Sequence, residues 1–242
     1  MKVVAIMQAR MGSTRLPGKV LKPILSKPLL EYQIERVKQS KLIDELVVAT
    51  TTKPIDEEIV HLCRQVNCHS FRGSEKDVLS RYYEAAQYYE ADVVVRLTSD
   101  CPLLDPEVID QVIQQYLKMN PYHYVTNTLE RTFPRGMDTE VFSMNILNHV
   151  YQNATAKTDR EHVTSYIRKH SNSYNLANVF YPIDQSQYRL TVDTLEDFNL
   201  IQLIIETLYL KKPNFTLENV LQLLNEHPEW AKINAHVEQK KS

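Results

Sequence analysis

Glycines, hydroxyls and cations are concentrated in one short loop near the start of the chain. The loop follows an apolar, β-branched run, Val3–Met7, and it contains Gly12 and Gly18, two of only four glycines among 242 residues. The hydroxyl and cationic side chains of the loop are Arg10, Ser13, Thr14, Arg15 and Lys19. Backbone N–H groups and cations at the carboxyl end of a parallel strand form a common binding site for phosphates. The loop therefore predicts a site for a chain of phosphates.

The spacing of this loop fits neither of two common phosphate-binding motifs. A P-loop has four residues between its glycines, whereas five residues separate Gly12 from Gly18. It also has Ser or Thr after its lysine, and here Val20 follows Lys19. The dinucleotide-binding motif requires glycine at its first, third and sixth positions, which this loop lacks. A basic surface loop without a ligand is the alternative, but the position between a strand and a helix favours binding.

Two aspartates follow segments that are predicted to be buried strands. Asp92–Ser99 runs directly into Asp100, and Tyr188–Asp197 contains a short strand that ends at Asp193. Ligands of an open α/β sheet bind at this edge, where a carboxylate needs a cationic partner. A divalent cation shared between Asp100 and a bound triphosphate would satisfy both charges. For Asp193, ordinary capping of the next helix is an alternative.

The elements that must position these residues alternate regularly in the first half of the chain. Apolar periodicity predicts helices at Pro28–Ser40, Asp56–Val66, a stretch capped by Ser74, and Pro106–Met119. It predicts further strands at Leu46–Thr51, Cys68–Phe71 and Tyr122–Asn127. Such alternation is typical of parallel pairing with right-handed crossovers. We therefore predict an α/β fold, a Rossmann-like, mostly parallel sheet with helices on both faces, as a single domain over residues 1–242.

The regular alternation ends near residue 127, and residues 128–182 are predicted to form a small inserted lobe. Helices are expected within it at Met144–Asn153 and Asp159–His170, and after it at Leu195–Leu210 and Thr216–Glu226. Thr158 and Glu161 have the spacing of a capping box, which gives Glu161 a structural role. A lone histidine on a helix, such as His162, is more often surface or core than part of a site.

Length, composition and charge limit the class of protein. The hydrophobic fraction of 43% and the charged fraction of 24% are those of an ordinary soluble domain. A net charge of −2 without a basic block argues against nucleic acid as a partner. No apolar run approaches the roughly 18 residues of a membrane span, and no signal peptide precedes the first strand. We therefore expect a cytoplasmic protein without a membrane partner, and the three cysteines argue against a disulfide framework.

Two cysteines and two histidines within His61–His69 raise the question of a zinc site. Their spacing does not fit the usual zinc-finger or zinc-ribbon patterns, and no second cluster completes a ligand set. A helix that leads into a short strand explains this segment better.

The sequence ARMGSTRLPGKVL at Ala9–Leu21 resembles the signature loop of the sugar-acid cytidylyltransferases, which include CMP-octulosonate and acylneuraminate synthetases. The resemblance is closest to the spore-coat polysaccharide biosynthesis protein F branch. It implies a nucleotidyltransferase that activates a nonulosonic or octulosonic sugar acid with CTP for surface polysaccharide synthesis, giving CMP-sugar and pyrophosphate. It further implies magnesium (Mg2+) as cofactor and a homodimer.

The resemblance assigns roles to individual residues. The catalytic residues would be Arg10, Arg15, Lys19 and Asp100. The nucleotide would contact Ala9, Gly12, Ser13, Thr14, Gly73, Asp77 and Arg81. Asp100 and Pro102 match a magnesium-binding Asp-x-Pro motif, and Asp193 begins an Asp-Thr-x-x-Asp motif that supplies the second magnesium ligand. Without the resemblance, the residues from Gly73 to Arg81 indicate only a capped helix with an ion pair on its surface.

Thr132–Ser143 carries the residues proposed for the sugar. If Met137–Phe142 is a strand, its period of two places Asp138 and Glu140 on one face. Charged acceptors suit sugar hydroxyls, and the branch has a matching Gly-x-Asp-x-Glu stretch. Arg135 would pair with the substrate carboxylate. A solvated face of an edge strand is the alternative for the two acids.

Two other functions remain open. A metal-dependent glycosyltransferase that uses a nucleotide sugar shares this type of sheet, but such enzymes usually carry Asp-x-Asp, and here the strand ends in Asp100-Cys101-Pro102. A non-catalytic nucleotide-binding protein of polysaccharide assembly is the other alternative, against which the full set of cations and acids argues. No Gly-x-Ser-x-Gly motif indicates a serine nucleophile.

Overall fold

Parallel strands form the centre of the protein, as the alternation of strands and helices predicts. The computed structural model describes residues 1–118 and 122–238. Within them the strands are β1 (Val3–Gln8), β2 (Pro23–Ile24), β3 (Lys27–Pro28), β4 (Glu45–Thr51), β5 (His69–Gly73), β6 (Val93–Thr98), β7 (Tyr124–Thr126), β8 (Glu140–Ser143) and β9 (Leu176–Asn178). The helices are α1 (Leu29–Val37), α2 (Glu57–Gln65), α3 (Val78–Tyr88), α4 (Pro106–Leu117), α5 (Met144–Asn153), α6 (Lys157–His162), α7 (Ser165–Lys169), α8 (Leu195–Leu208) and α9 (Leu217–Glu226).

The main sheet has the strand order β5-β4-β1-β6-β8-β7-β9. β1 pairs in parallel with β4 and β6, whereas β8 runs antiparallel to β6 and β7. Gln8, the last residue of β1, lies opposite Ala49 of β4 and Thr98 of β6. The loop after β1 and the aspartate after β6 therefore leave the sheet at the same edge.

Strand β1 is apolar at successive positions, so both of its faces must be covered, and both faces of the sheet are. Val3, Ala5 and Met7 belong to one buried cluster, which includes residues of α1, α2, α4, α8 and α9. Val4 and Ile6 belong to a second cluster with residues of α3, α5 and α7. The mostly parallel sheet with helices on both faces confirms the predicted Rossmann-like α/β fold.

Residues 128–182 contribute to the main sheet as well as to its surface. Strand β8 lies between β6 and β7, and β9 pairs in parallel with β7 at the edge. Helices α5 and α6 of the same segment pack beside α3, and α7 packs against α6. A sugar-binding or dimerisation role for this segment stays a prediction.

The predicted helix Asp159–His170 is wrong, because the chain forms two short helices there. The break lies at Val163, whose backbone has φ +52° and ψ −58°. The Thr164 N–H donates to the His162 carbonyl across this residue, which is a γ-turn with positive φ. The predicted capping box is also wrong, since α6 begins after Ala156 without a side-chain cap and the Thr158 hydroxyl accepts from Lys169.

Other element boundaries also differ from the prediction. The strand predicted at Met137–Phe142 begins only at Glu140. Asp138 lies before the strand and therefore does not share a strand face with Glu140. The strand predicted before Asp193 is an extended segment with a single bridge between Arg189 and Arg135. Asp77, not Ser74, caps α3, because its carboxylate accepts from the Ser80 N–H at 2.9 Å. The predicted end of α4 at Met119 lies outside the described residues.

The Glu140 carboxylate is buried at the join between the parallel and antiparallel parts of the sheet. It forms an ion pair with Arg96 and accepts from the Tyr124 hydroxyl at 2.7 Å. Arg168 of α7 lies 3.7 Å away. Burial by itself raises the pKa of Glu140, but the two guanidinium groups outweigh burial and lower it overall.

We expect Glu140→Gln to lower the free energy of unfolding by about 3–5 kcal/mol at pH 7, because it leaves Arg96 buried without its counter-ion. A carboxyl whose pKa is lowered by folding stabilises the protein above its unfolded pKa, about 4.3 for Glu, and loses that contribution as the pH falls through the lower folded value. Urea unfolding of both proteins at pH 7 and below pH 4 measures this difference. A gap between the two proteins that stays constant over this range would contradict the role of the charge.

Candidate active site

The loop after β1 is held in a fixed curve by the neighbouring backbone. The Gly18 N–H donates to the Met11 carbonyl at 3.0 Å, and the Met11 N–H donates to the buried Asp56 carboxylate at 2.7 Å. Gly18 has φ +68° and starts the single helical turn Lys19–Leu21. A side chain at Gly18 would be strained in this conformation, so the glycine allows Lys19 to turn back toward the sheet edge.

Several backbone amides of the loop are available to a ligand. Within residues 1–118 and 122–238, no protein acceptor is found for the N–H groups of Gly12, Thr14 and Arg15. All three residues line a cavity of about 580 Å³ at this edge of the sheet. Unpaired amides beside cationic side chains are suited to bind an anion.

Lys19 brings together the two aspartates that follow the sheet. Its Nζ lies 2.8 Å from Oδ1 of Asp193 and 3.9 Å from Oδ2 of Asp100. These two carboxylate oxygens therefore lie no farther apart than the sum of those distances. The Val192 N–H also donates to the Asp100 carbonyl at 2.8 Å, which fixes the two segments side by side although they are far apart in sequence.

Three cations surround the Asp193 carboxylate. Besides Lys19, Arg15 lies 2.9 Å and Arg189 lies 2.7 Å from its Oδ2. Burial by itself raises the pKa of Asp193, but the three cations outweigh burial and hold the pKa below its usual range. Asp193 is therefore ionised at neutral pH, as a metal or phosphate site requires.

Asp197 fixes the positions of Asp193 and Arg189. Its carboxylate is fully buried and accepts from the Nε of Arg189 at 2.8 Å. It also accepts from the Asp193 N–H at 2.9 Å and from the amide of Asn234 at 2.8 Å. The predicted cap of α8 at Thr194 is confirmed, with Asp197 completing its capping box. Asn234 belongs to the C-terminal tail, in which the sequence shows no recognisable motif.

The cavity brings together most of the residues that the resemblance assigns to a site. Its lining includes Ala9, Arg10, Gly12, Ser13, Thr14, Arg15, Lys19, Arg81, Asp100 and Asp193. It does not include Gly73, Asp77, Arg135, Asp138 or Glu140. Sequence reasoning missed other residues of the lining, notably Gln8, Glu75, Lys76, Ser99 and Lys157. It considered Glu161 and His162 but favoured a structural role for each, whereas both line the cavity.

Arg81 is a buried cation, and among the described residues it forms no salt bridge with a carboxylate. It is 1% exposed, its Nη1 donates to the Ser74 carbonyl, and its Nε has no partner among the described residues. Burial lowers the pKa of this guanidinium. A Cβ on Gly73 would lie 2.9 Å from the Arg81 Cγ, so Gly73 contributes by making room for Arg81.

Asp77 is occupied by a structural ion pair. Its carboxylate accepts from the Nε of Arg160 at 3.0 Å, in addition to capping α3. This pair ties α6 to the start of α3. Any contact between Asp77 and a nucleotide stays a prediction.

The residues predicted to bind a sugar have protein partners. Asp138 accepts two hydrogen bonds from Arg131, at 2.6 and 2.8 Å, and Glu140 lies in the buried group described above. Arg135 is half-buried next to Arg189, with which its backbone forms a bridge. Their role toward a sugar stays a prediction, since none of them lines the cavity.

Four carboxylates line the cavity, and the two that Lys19 brings together, Asp100 and Asp193, are the candidates to hold a metal ion. The part of the chain that the structure describes contains no group of three or more His, Cys, Asp or Glu side chains arranged to hold a metal. A metal ion at the two aspartates would therefore need ligands from a substrate. Among the same residues, no helix combines the length and apolar character needed to cross a bilayer.

Comparison with known proteins gives matches over the full chain. A family model described as a cytidylyltransferase matches residues 4–241. The spore coat polysaccharide biosynthesis protein SpsF of Bacillus subtilis is 37% identical over 95% of this chain and 96% of its own. A 3-deoxy-manno-octulosonate cytidylyltransferase of Trichlorobacter lovleyi is 34% identical over 48% of this chain and 46% of its own. The structure of a cytidylyltransferase from Leptospira borgpetersenii superimposes with a TM-score of 0.92 at 32% identity, covering 100% of both chains.

Proposed function

The chain belongs to the cytidylyltransferase family, and from this premise we propose that it activates a sugar acid of the nonulosonic or octulosonic type with CTP. The observation that carries this proposal is the position of Lys19, which contacts Asp193 and approaches Asp100 beside a loop with free amides. The names of the SpsF and octulosonate relatives support a sugar acid destined for surface polysaccharide. The homodimer and the cytoplasmic location remain predictions.

The reaction needs no protein nucleophile. A hydroxyl oxygen of the sugar acid would attack the α-phosphorus of CTP and form the new P–O bond, while the bond from that phosphorus to the bridging oxygen breaks. The electron pair leaves with pyrophosphate, and the proton of the attacking hydroxyl passes to water. Lys19 and Arg15 would bind the β- and γ-phosphates and stabilise the charge that develops on the leaving group.

Magnesium fits the two aspartates by its preference for oxygen ligands. In proteins it is usually held by one or two carboxylates together with substrate phosphates, which agrees with the two-carboxylate arrangement of Asp100 and Asp193. When bound, it would neutralise charge at the α-phosphate and stabilise the attacking and leaving oxygens. Arg189 and Asp197 would keep Asp193 in place for this task.

The nucleobase would lie against Gln8 and Arg81. Both residues line the cavity, and each has a buried atom without a partner among the described residues, the Oε1 of Gln8 and the Nε of Arg81. A cytosine ring presents a donor at its amino group and acceptors at N3 and O2. An acceptor and a donor left unpaired at one end of the cavity complement that edge, and pairing them would remove the cost of their burial.

We expect Gln8→Glu to raise the preference for CTP over UTP by about tenfold, because a carboxylate accepts from the cytosine amino group and repels the uracil O4. Gln8→Leu should weaken CTP binding by about the same factor. Calorimetric titration of each variant with CTP and UTP measures both effects. An unchanged ratio of the two affinities in Gln8→Glu would exclude Gln8 from contact with the base.

One assay tests the proposed function as a whole. The protein is incubated with magnesium, each of the four nucleoside triphosphates and a panel of nonulosonic and octulosonic acids, and pyrophosphate is measured. We expect release that depends on both CTP and one class of acid. Transfer only from a preformed nucleotide sugar would indicate a glycosyltransferase instead, and CTP binding without turnover would indicate a non-catalytic protein.

A further inference from the structure

The short helix α6 separates its polar side chains into two groups. The Thr158 hydroxyl accepts from Lys169, and the Asp159 carboxylate accepts from Lys169 and Ser165 at 2.6 Å each. Arg160 contacts Asp77 as described. The remaining polar side chains of α6 are Lys157, Glu161 and His162, for which no partner is found within residues 1–118 and 122–238. These three line the cavity, and the three bonded ones do not.

The position of α6 is fixed by contacts on its other side. The Arg160 guanidinium donates to Asp77 and to the carbonyls of Tyr151 and Ala154, and it lies 4.8 Å from the centre of the Tyr151 ring. Because Lys157 and Glu161 are four residues apart, they share one face of the helix. Anchoring through Arg160 therefore holds that face toward the cavity.

The turn that ends α6 is strained. Val163 is β-branched and 1% exposed, yet its φ is positive, a conformation that costs about 1–3 kcal/mol. The next helix, α7, contributes Arg168 to the ion-pair group of the buried Glu140 carboxylate, from which Arg168 lies 3.7 Å. This contact holds α7 in place after the turn, and the turn sets where His162 lies.

The loop after β1 and helix α6 contribute different side chains to the cavity. The loop side carries Arg10, Arg15 and Lys19, which suit a triphosphate. Glu161 on the α6 side would be repelled by phosphates, but a carboxylate is a strong acceptor for hydroxyl groups. Lys157 offers a cation to a carboxylate. This combination matches a polyhydroxylated acid.

We propose that α6 forms the acceptor side of the cavity, with Glu161 and His162 in contact with sugar hydroxyls and Lys157 opposite the sugar carboxylate. This inference rests on the proposed function and specifies where its second substrate binds.

The variants Glu161→Gln, His162→Ala and Lys157→Met test this inference. For each we expect the KM for the sugar acid to rise about tenfold or more, as for loss of a hydrogen bond to a charged group, while the affinity for CTP changes less than twofold. Matched controls are Glu58→Gln and His61→Ala, which change exposed residues of α2 away from the cavity. Pyrophosphate release gives the KM, and calorimetry gives the CTP affinity.

The outcomes separate this inference from the proposed function. If the unaltered protein turns over but the three variants keep its KM for the acid, α6 does not bind the acceptor. If CTP affinity falls as much as acid affinity, α6 belongs to the nucleotide site and the inference is wrong. If the unaltered protein releases no pyrophosphate with any acid, the proposed function fails and the inference fails with it.

Discussion

Asparagine in place of Asp100 is expected to lower the rate of pyrophosphate release by roughly 10³-fold, the usual effect of removing one charged group that stabilises a transition state. The side chain is 24% exposed, and among the described residues it contacts only Lys19 at 3.9 Å and the Cys101 thiol at 3.5 Å. The fold should therefore remain intact. Steady-state pyrophosphate release with saturating CTP and sugar acid measures the loss.

Two controls make this result interpretable. Asp184→Asn changes an exposed carboxylate whose partner is the nearby Ser186 N–H, and it should keep full activity. The midpoint of thermal unfolding of Asp100→Asn should stay close to that of the unaltered protein. Unimpaired pyrophosphate release in purified Asp100→Asn would exclude this aspartate as a metal ligand.

Asp197→Ala is expected to lower the free energy of unfolding by about 3–5 kcal/mol, because it leaves the buried Arg189 without its main counter-ion. The change also removes the acceptor for the Asn234 amide and for the Asp193 N–H. Urea unfolding followed by circular dichroism at pH 7 measures the effect.

Asp138→Ala is the matched control for this prediction. Asp138 also accepts two hydrogen bonds from an arginine, Arg131, but its side chain is 35% exposed. Solvent screens such a pair, so its loss should cost at most about 1 kcal/mol. Equal losses in the two variants would show that burial does not set the strength of the Asp197 ion pair.

The sequence was sufficient to predict the parallel strands and the meeting of Lys19 with Asp100 and Asp193 at one edge of the sheet. Buried parallel strands leave continuous apolar runs such as Val3–Met7, and parallel strands place their carboxyl ends at one edge. For this reason Lys19, Asp100 and Asp193 could be expected to meet although up to 174 residues separate them.

The far side of the cavity could not be predicted in the same way. The spacing of Thr158 and Glu161 matches a capping box. In the structure, however, the Thr158 hydroxyl accepts a hydrogen bond from Lys169, and α6 already begins at Lys157. A positive φ at Val163 has no local signal, because valine disfavours this conformation. Tertiary contacts therefore decided which side chains of α6 reach the cavity.

Buried partners from remote parts of the chain also lack a sequence signal. Asn234 lies in a polar stretch, yet it is 2% exposed and donates to Asp197 and to the Arg189 carbonyl. Glu140 is part of an alternating pattern that also suits a surface strand. Only the pairing of β6 with β8 places it opposite Arg96.

The contact between Asn234 and Asp197 has a consequence for synthesis of the protein on the ribosome. A nascent chain that has emerged only through α9 already contains every residue that lines the cavity, but it lacks the amide that pairs with Asp197. Until that amide arrives, the Asp197 carboxylate lacks one of the hydrogen bonds that it accepts, although Arg189 and the Asp193 N–H still donate to it. The group behind Asp193 is thus completed only after every residue of the cavity lining has been synthesised.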